Sequence, residues 1–162
     1  MKNDSRILGH CSCKSVTYEL LNCPMFVNCC HCTDCQRETG SAFVINGILE
    51  THQVKLITGN PEKILIPSQS GKGQNIHRCP TCKIALWSNY GGAHDVLRFV
   101  RIGTLQEPFR FPPQAFIFTR SKLPWVTLNP DIPSFDIFYD YKEMWSEESR
   151  ARRRLVDPKF KH

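Results

Sequence analysis

The stretch Cys79-Pro80-Thr81-Cys82, "CPTC", decides the fold because it sets two thiols on one tight turn. Two thiolates suit one metal ion, but a structural zinc site takes four ligands in a tetrahedron, so a second pair is needed. Cys11-x-Cys13 is the obvious partner. Residues 14–78, 65 in all, lie between the two pairs, so one shared metal ion would tie the first strand to the later sheet.

The cysteine count favours metal binding over disulfide formation. The chain has nine cysteines, an odd number, and they are grouped in tight clusters. Its first residues, "MKNDSRILGHCSC", contain no apolar stretch of about 7 to 15 residues after a basic start, so we expect no secretory signal. We therefore expect a cytoplasmic protein with reduced thiols, in which clustered cysteines are metal ligands or reactive groups.

Composition and charge exclude several classes of function. The 162 residues are 41% hydrophobic and 22% charged, which is ordinary for one soluble globular domain. Their apolar runs fall short of the ~20 residues that a membrane-spanning helix needs, so no membrane span is expected. The net charge is +6, but residues 150–162 hold six basic residues and one aspartate, which gives +5 and leaves +1 for residues 1–149. Because the basicity is confined to a short tail, nucleic acid is not an expected partner.

Short segments rich in β-branched and aromatic residues recur between turn signals and predict a mainly β domain. Residues 16–20 alternate between apolar and polar side chains, as a half-buried strand does, whereas residues 42–49 are apolar on both faces and predict a central strand. We place one zinc-binding domain at residues 5–137 and a charged C-terminal tail at residues 138–162. The charged second half of residues 135–155 is compatible with a terminal helix. The predicted strands lie in "SVTYEL", "AFVINGIL", "QVKLI", "EKILI", "IALWS", "DVLRFVRIGTL" and "QAFIFT".

The remaining group, Cys30-x-Cys32-x-x-Cys35, is one ligand short of a closed site. A zinc ion that does chemistry keeps three protein ligands and one open position, so these three cysteines are predicted to be both metal ligands and catalytic. A substrate thiol in the open position would be deprotonated at neutral pH, where a free thiol of pKa ~8.5 is mostly protonated. The alternative that Cys29 or His31 closes the site as a second structural zinc stays open. Cys29 itself is interpreted as a buried residue on the other face of the chain, and Cys23 as a core residue.

Four segments carry a resemblance to a known family. They are Gly9-x-Cys11-x-Cys13, "CHCTDCQRETGSAF" from Cys30 to Phe43, "CPTC" from Cys79 to Cys82, and "PQAFIFTRSKLPW" from Pro113 to Trp125. In this order they resemble the glutathione-dependent formaldehyde-activating enzymes, a family that includes the vertebrate centromere protein V. The resemblance implies an Mss4-like, or β-tent, fold of short antiparallel strands. It also implies a structural zinc on Cys11, Cys13, Cys79 and Cys82 and a second zinc on Cys30, Cys32 and Cys35.

The resemblance further implies an activity, the condensation of formaldehyde with glutathione to S-(hydroxymethyl)glutathione, classed as a carbon–sulfur lyase in the reverse sense. Two zinc ions per chain would be the cofactors, glutathione the co-substrate, and a small thiol and an aldehyde the partners. Arg37 is our first candidate for binding glutathione's carboxylates, because a guanidinium can bind a carboxylate with two hydrogen bonds. Ser41, which lies close to it in sequence, is also predicted to bind glutathione. The sequence does not identify the proton donor among Asp34, Gln36, Arg37 and Ser41.

Three positions depart from the family pattern. Glycine commonly follows the second cysteine of each pair, whereas this chain has Lys14 and Lys83, at a cost of about 1 kcal/mol each if the left-handed turn is retained. Where many members have a histidine before the "SK-x-PW" motif, this chain has Phe116. The competing hypothesis is therefore a zinc scaffold without catalysis, in which both zincs are structural and the basic tail contacts an acidic partner.

Overall fold

The computed structural model describes residues 6–68 and 71–157, apart from the side chains of residues 92 and 94. This part of the chain contains ten short strands and three helices. The strands are β1 (Ile7–His10), β2 (Thr17–Leu20), β3 (Phe26–Cys30), β4 (Val44–Glu50), β5 (Val54–Thr58), β6 (Glu62–Ile66), β7 (Gln74–Arg78), β8 (Ala85–Tyr90), β9 (Leu97–Arg101) and β10 (Ala115–Ile117). The helices are α1 (Thr33–Thr39), α2 (Tyr141–Met144) and α3 (Glu147–Val156), and single 3-10 turns begin at Thr51, Gly91, Ile102, Pro108 and Thr119.

The strands form two sheets. The smaller has the order β1-β2-β5, and the larger has the order β10-β3-β4-β9-β8-β7-β6. Neighbours are antiparallel except β10, which runs parallel to β3 with Ala115 opposite Asn28. The predicted mainly β fold is confirmed, and β4, within residues 42–50, lies in the interior of the larger sheet, as its two apolar faces predict.

Two hydrophobic clusters fill the molecule. The first lies between the sheets and includes Tyr18, Leu49 and Trp87, whose side chains are almost fully buried. The second lies on the other side of β3 and β4 and includes Phe26, whose ring stacks on Trp145 with centroids 5.9 Å apart. The first cluster contains Cys11 and Cys79, and the second contains Cys30, Cys32 and Cys35, so each cysteine group is embedded in one of the two cores.

Three strands and one helix are not among the predicted elements. β1, β3 and β7 lack a clear alternation: "FVNCC" in β3 is buried at every position, and "QNIHR" in β7 is mostly polar. The helix α1 has seven residues, too few for a visible helical period, and begins at its N-cap Cys32. Cys23, interpreted as a core residue, is exposed, so that interpretation is wrong: it precedes the first residue of β3 by three positions and lies in the loop before it.

The C-terminal segment packs against the larger sheet. Tyr139 and Trp145 are buried, and the Ser149 hydroxyl donates a 2.7 Å hydrogen bond to the Met25 carbonyl. The charged stretch forms α3, which begins at its N-cap Ser146. The boundary placed at residue 137 stays a prediction, and residues 5 and 158–162 lie outside the described residues. In the ranges described, no helix is long and apolar enough to cross a membrane.

Candidate metal centres and active-site cavity

The four cysteines of the first predicted group lie together, where the turn between β1 and β2 meets the turn between β7 and β8. The sulfur atoms of Cys11, Cys13, Cys79 and Cys82 all lie within 4.8 Å of one another. The Cys11–Cys13 and Cys13–Cys79 sulfur pairs are 3.5 and 3.7 Å apart. A disulfide needs about 2.05 Å, whereas a tetrahedral zinc with bonds of about 2.3 Å holds its sulfurs about 3.8 Å apart. The spacing therefore fits zinc, and one ion here would join the two sheets.

Hydrogen bonds to these sulfurs favour the thiolate form, which is the form that binds a cation. The backbone N–H groups of Thr81 and Cys82 donate to the Cys79 sulfur at 3.3 and 3.4 Å. The Ser15 hydroxyl lies 3.2 Å from the same sulfur and 3.1 Å from that of Cys13. Burial raises the pKa of Cys79, but the hydrogen bonds from Ser15 and the two amides outweigh it and lower that pKa to about 5. Ser15 was not a predicted site residue, because a serine in a turn is ordinary in sequence.

Both turns keep the left-handed residue that glycine usually supplies. Lys14 has φ of 60° and Lys83 has φ of 61°. Each donates its backbone N–H at 3.0 Å to the carbonyl of the first cysteine of its pair, Cys11 or Cys79. The family's turn geometry is therefore retained without glycine, at the predicted cost of about 1 kcal/mol per position.

The three cysteines of the second group also lie together, at the junction of β3 and α1. Cys30 ends β3, Cys32 is the N-cap of α1, and Cys35 lies in its first turn, so the strand-to-helix turn brings the sulfurs within 4.8 Å of one another. All three side chains are buried. The backbone N–H of Cys35 donates to the Cys32 sulfur at 3.3 Å.

The pKa values of these three thiols differ. Hydrogen bonds from Cys30 and Cys35 lower the pKa of Cys32 to about 3, while the bond to Cys32 raises the pKa of Cys30. Cys32 is therefore the thiol of this group that loses its proton most readily. Such a set fits a divalent cation, because a bound zinc would displace the remaining protons. The residues that would hold it are Cys30, Cys32 and Cys35.

Neither alternative fourth ligand joins this group. Among the described side chains, the metal-binding group at this junction has three members, and Cys29 and His31 are not among them. Cys29 is buried, as predicted, and its sulfur lies 3.6 Å from Nε2 of His31. The His31 ring packs against Phe43 and Phe116, with centroids 5.3 and 6.0 Å away. Phe116 thus belongs to the packing of His31.

A cavity of about 400 Å³ opens beside the three thiols. Cys30 and Cys32 form part of its wall, and the rest comes from strands β3, β4, β7, β8, β9 and β10, from the three helices and from the loops. Its wall is mainly apolar, with a few convergent polar groups, as is usual for small-molecule sites. The polar and charged residues lining it are Asn28, Asp34, Asn46, Ser68, Lys72, Gln74, Tyr90, Tyr141 and Arg153.

The family model described as glutathione-dependent formaldehyde-activating enzyme matches residues 6–121, well over half of the chain and both cysteine groups. The chain belongs to this family. The predicted membership and the Mss4-like fold class are thereby confirmed. No curated protein matches the chain in sequence. A crystal structure of a Rhodobacter sphaeroides protein, a structural genomics target, is similar with a TM-score of 0.47 and 19% identity, covering 79% of this chain and 99% of that chain.

In this member of the formaldehyde-activating family, Tyr90 and Arg101 interact electrostatically with cysteines of the second group. Burial raises the pKa of Tyr90 above its usual range, and the charges of the three cysteines raise it further, so the phenol stays protonated at neutral pH. Arg101 is buried and donates to Oδ1 of Asn46 and, at 2.8 Å, to the Ser88 hydroxyl. The bond from Arg101 fixes the orientation of the Asn46 amide in the cavity wall.

Two other predicted site residues lie elsewhere on the surface. Arg37 and Ser41 line a separate depression with Phe43 and Trp125, and neither lines the cavity beside the thiols. The Arg37 side chain is 80% exposed and lies 4.0 Å from the Asp34 carboxylate. Their role in binding glutathione stays a prediction.

The family motifs around the thiols have a positioning role. The Gln36 side-chain amide donates to the carbonyls of His31 and Ser121, both at 2.8 Å, and the Ser121 hydroxyl donates to the same His31 carbonyl. These bonds hold the "CHCTDC" segment against the "SKLPW" segment. An ion pair between Glu38 and Arg78 then connects α1 with β7, whose following turn carries Cys79.

Proposed function

We propose that the protein is a zinc-dependent enzyme that joins glutathione to formaldehyde or a similar small aldehyde, a carbon–sulfur lyase in the reverse direction. The observation that carries the proposal is the three-thiol group of Cys30, Cys32 and Cys35, which is buried, lacks a fourth ligand among the described side chains, and faces a cavity. A site built only to hold the fold would be closed by a fourth ligand. The family's description supports the choice of glutathione and formaldehyde.

The proposed reaction is the addition of a thiol to the carbonyl group of an aldehyde. The sulfur of glutathione forms a bond to the aldehyde carbon while the carbon–oxygen double bond opens, and the proton that leaves the thiol ends on the oxygen. Zinc bound by the three cysteines would supply a lowered thiol pKa, so that the nucleophile is present as a thiolate at neutral pH. The apolar wall of Leu97, Phe99 and Ile117 would keep bulk water away from the reacting atoms.

We assign Tyr90 as the proton donor to the aldehyde oxygen, and the proton released by the thiol restores the phenol. It lines the same cavity as Cys30 and Cys32, and its phenol is protonated at neutral pH. A phenol that is neutral and buried donates a hydrogen bond to developing negative charge without itself losing its proton beforehand. Tyr90 lies 55 residues or more from the three cysteines, so sequence proximity gave no signal for it.

The scaffold alternative receives no support from the described part of the basic segment, residues 150–157. Its arginines pair within the chain: Arg150 and Arg154 with Glu147, Arg152 with Glu50, and Arg153 with Asp157. Cationic groups that are paired in this way attract an acidic partner less than unpaired ones do, whereas Lys159 and Lys161 lie outside the described residues. We keep a cytoplasmic location as part of the proposal, because an oxidising compartment would convert the exposed thiols to disulfides.

The test is the rate at which formaldehyde and glutathione exchange with S-(hydroxymethyl)glutathione, measured by exchange NMR against the spontaneous reaction. We expect the zinc-loaded protein to raise the exchange rate in proportion to its concentration. Cys32→Ser should abolish the increase, whereas Cys23→Ser, at an exposed thiol outside both clusters, should leave it unchanged. An exchange rate equal to the spontaneous one with fully loaded protein would refute the proposed activity.

A further inference from the structure

A buried arginine in the larger sheet has only neutral hydrogen-bond partners. Arg101, the last residue of β9, is 6% exposed, and its guanidinium donates to Oδ1 of Asn46 and, at 2.8 Å, to the Ser88 hydroxyl. Among the described residues, no carboxylate forms an ion pair with it. A guanidinium keeps its charge in proteins, and a buried charge is costly unless an anion balances it.

The cations that line the cavity differ from Arg101 in this respect. Arg153 is also buried, but its Nη2 donates to the Asp157 carboxylate at 2.7 Å. Lys72 is exposed, so solvent screens its charge. The charge of Arg101 is therefore the buried one that another group has to balance.

The sheet places Arg101 on the same face as the second cysteine group. Asn46 of β4 lies opposite Arg101 of β9 and, on its other side, opposite Asn28 of β3. Cys30 follows Asn28 by two positions, so its side chain lies on that face too, and it lines the cavity together with Asn46. Arg101 interacts electrostatically with Cys35. One strand separates β9 from β3, so the strands that carry the charge and the thiols are about 10 Å apart.

The second metal centre becomes more negative when a thiolate binds to it. A divalent zinc ion on three thiolates has one net negative charge, and a fourth thiolate makes this two, whereas a neutral fourth ligand adds none. A buried cation nearby therefore favours an anionic ligand over a neutral one. One unit charge at about 10 Å, with an effective dielectric constant of about 20, corresponds to roughly 10- to 20-fold in affinity.

We propose that Arg101 selects an anionic fourth ligand at the second metal centre, because it balances the negative charge that a substrate thiolate brings there. Arg101 is not among the residues that line the cavity, so it acts through its electric field and not by contact with the substrate. Asn46, an amide where a carboxylate would fit, leaves that charge unpaired. This inference rests on the proposed function, since it assumes that a thiol enters the open position beside Cys30 and Cys32.

The test compares ligands of different charge on the cobalt-substituted protein. The visible ligand-field bands are followed while 2-mercaptoethanol, which binds as a thiolate, azide, an inorganic anion, or imidazole, a neutral ligand, is added. Arg101→Gln, which removes the charge but keeps a hydrogen-bond donor, should weaken both anions by roughly 10- to 20-fold and imidazole by no more than about two-fold. Arg101→Lys should keep the affinity for both anions within about three-fold, because it retains the unit charge.

Two further variants separate charge from packing. Asn46→Asp keeps Arg101 and gives it a carboxylate partner of the same size, so it should fold and weaken both anions at least as much as Arg101→Gln does. Arg98→Gln is the matched control. It removes an arginine from the same strand but from the opposite face, where the guanidinium lies over the Trp87 ring, and should leave all three affinities within about two-fold.

The outcomes distinguish this inference from the proposed function. If Arg101→Gln weakens the anions and imidazole equally, or weakens neither anion, the role of Arg101 is refuted. If Arg101→Gln does not fold, Asn46→Asp decides, and unchanged anion binding there overturns the inference. If azide alters the bands of the unmodified protein but 2-mercaptoethanol does not, the proposed function fails, while azide still decides the role of Arg101. If none of the three ligands alters the bands, the open position does not exist and both fail.

Discussion

Replacing Cys79 with serine should destabilise the protein far more than replacing Cys32 with serine. A metal ion on the first group closes the loop of residues 14–78, 65 in all, and chain-entropy arithmetic for a cross-link of that length gives about 4 kcal/mol. The second group spans residues 30–35 and closes only the four residues 31–34, for which the same arithmetic gives about 2 kcal/mol. Serine at position 32 also remains a good N-cap for α1.

The assay is thermal unfolding of the zinc-loaded proteins, with zinc counted per chain. For a chain of this size, 1 kcal/mol moves Tm by about 2–4 °C, so Cys79→Ser should lower Tm by about 8–16 °C and Cys32→Ser by half of that or less. Each variant should lose zinc from its own group. Equal losses of Tm in the two variants would refute the assignment of the first cysteine group to stability and of the second group to catalysis.

Three further predictions concern single side chains. Lys14→Gly should raise stability by about 0.5–1 kcal/mol, because φ of 60° is strained for lysine but not for glycine, and the measurement is Tm. Tyr90→Phe should lower the exchange rate by about 100-fold or more, since a general acid is lost, with thiol binding unchanged. Glu50→Gln should cost about 3 kcal/mol at pH 7, because it leaves Arg152 without its carboxylate. Burial alone would raise the pKa of Glu50, but hydrogen bonds from Arg152 lower it below the usual value of 4.5. The ion pair therefore contributes its full stabilisation above pH 4.5, and this contribution is lost as the pH falls through the lower pKa of the folded protein.

Each of these predictions has its own control. Lys83→Gly should behave like Lys14→Gly, since both residues share the same conformation, and a fall in Tm for both would contradict the strain argument. For Tyr90→Phe, an unchanged exchange rate would remove the phenol from the chemistry. For Glu50→Gln, the difference in stability from the unmodified protein should shrink as the pH falls below 4.5 and vanish at the acid pH where the native carboxylate is protonated. A difference that persists there would mean that packing, not the ion pair, holds α3 to β4.

The sequence predicts which cysteines lie together because cysteine spacing carries that information directly. Two pairs and one triplet are recognisable by counting, and the structure brings together Cys11, Cys13, Cys79 and Cys82, and separately Cys30, Cys32 and Cys35. Predicted strands such as "EKILI", which is β6, are recognisable because β-branched residues are bounded by turn residues. Both kinds of feature can be recognised from short stretches of the sequence.

The cavity could not be predicted in the same way. Its polar wall combines Asn28 from β3, Gln74 from β7, Tyr90 from β8 and Arg153 from α3, which only tertiary packing brings together. Arg153 lies in a run of arginines whose other members point to different partners, and nothing in "RARRRL" distinguishes it. By contrast, Arg37 was a candidate because of its proximity in sequence to the cysteines, yet α1 presents it to solvent.

The most direct test of the account is a glutathione titration of the cobalt-substituted protein, with metals counted per chain. We predict two metal ions per chain. As glutathione enters beside Cys30, Cys32 and Cys35, the ligand-field bands should shift toward the positions typical of a four-thiolate site. In Cys32→Ser the shift should disappear, while the bands of the group containing Cys79 remain. Two metal ions with bands indifferent to glutathione would contradict the account, because the second site would then be closed and structural.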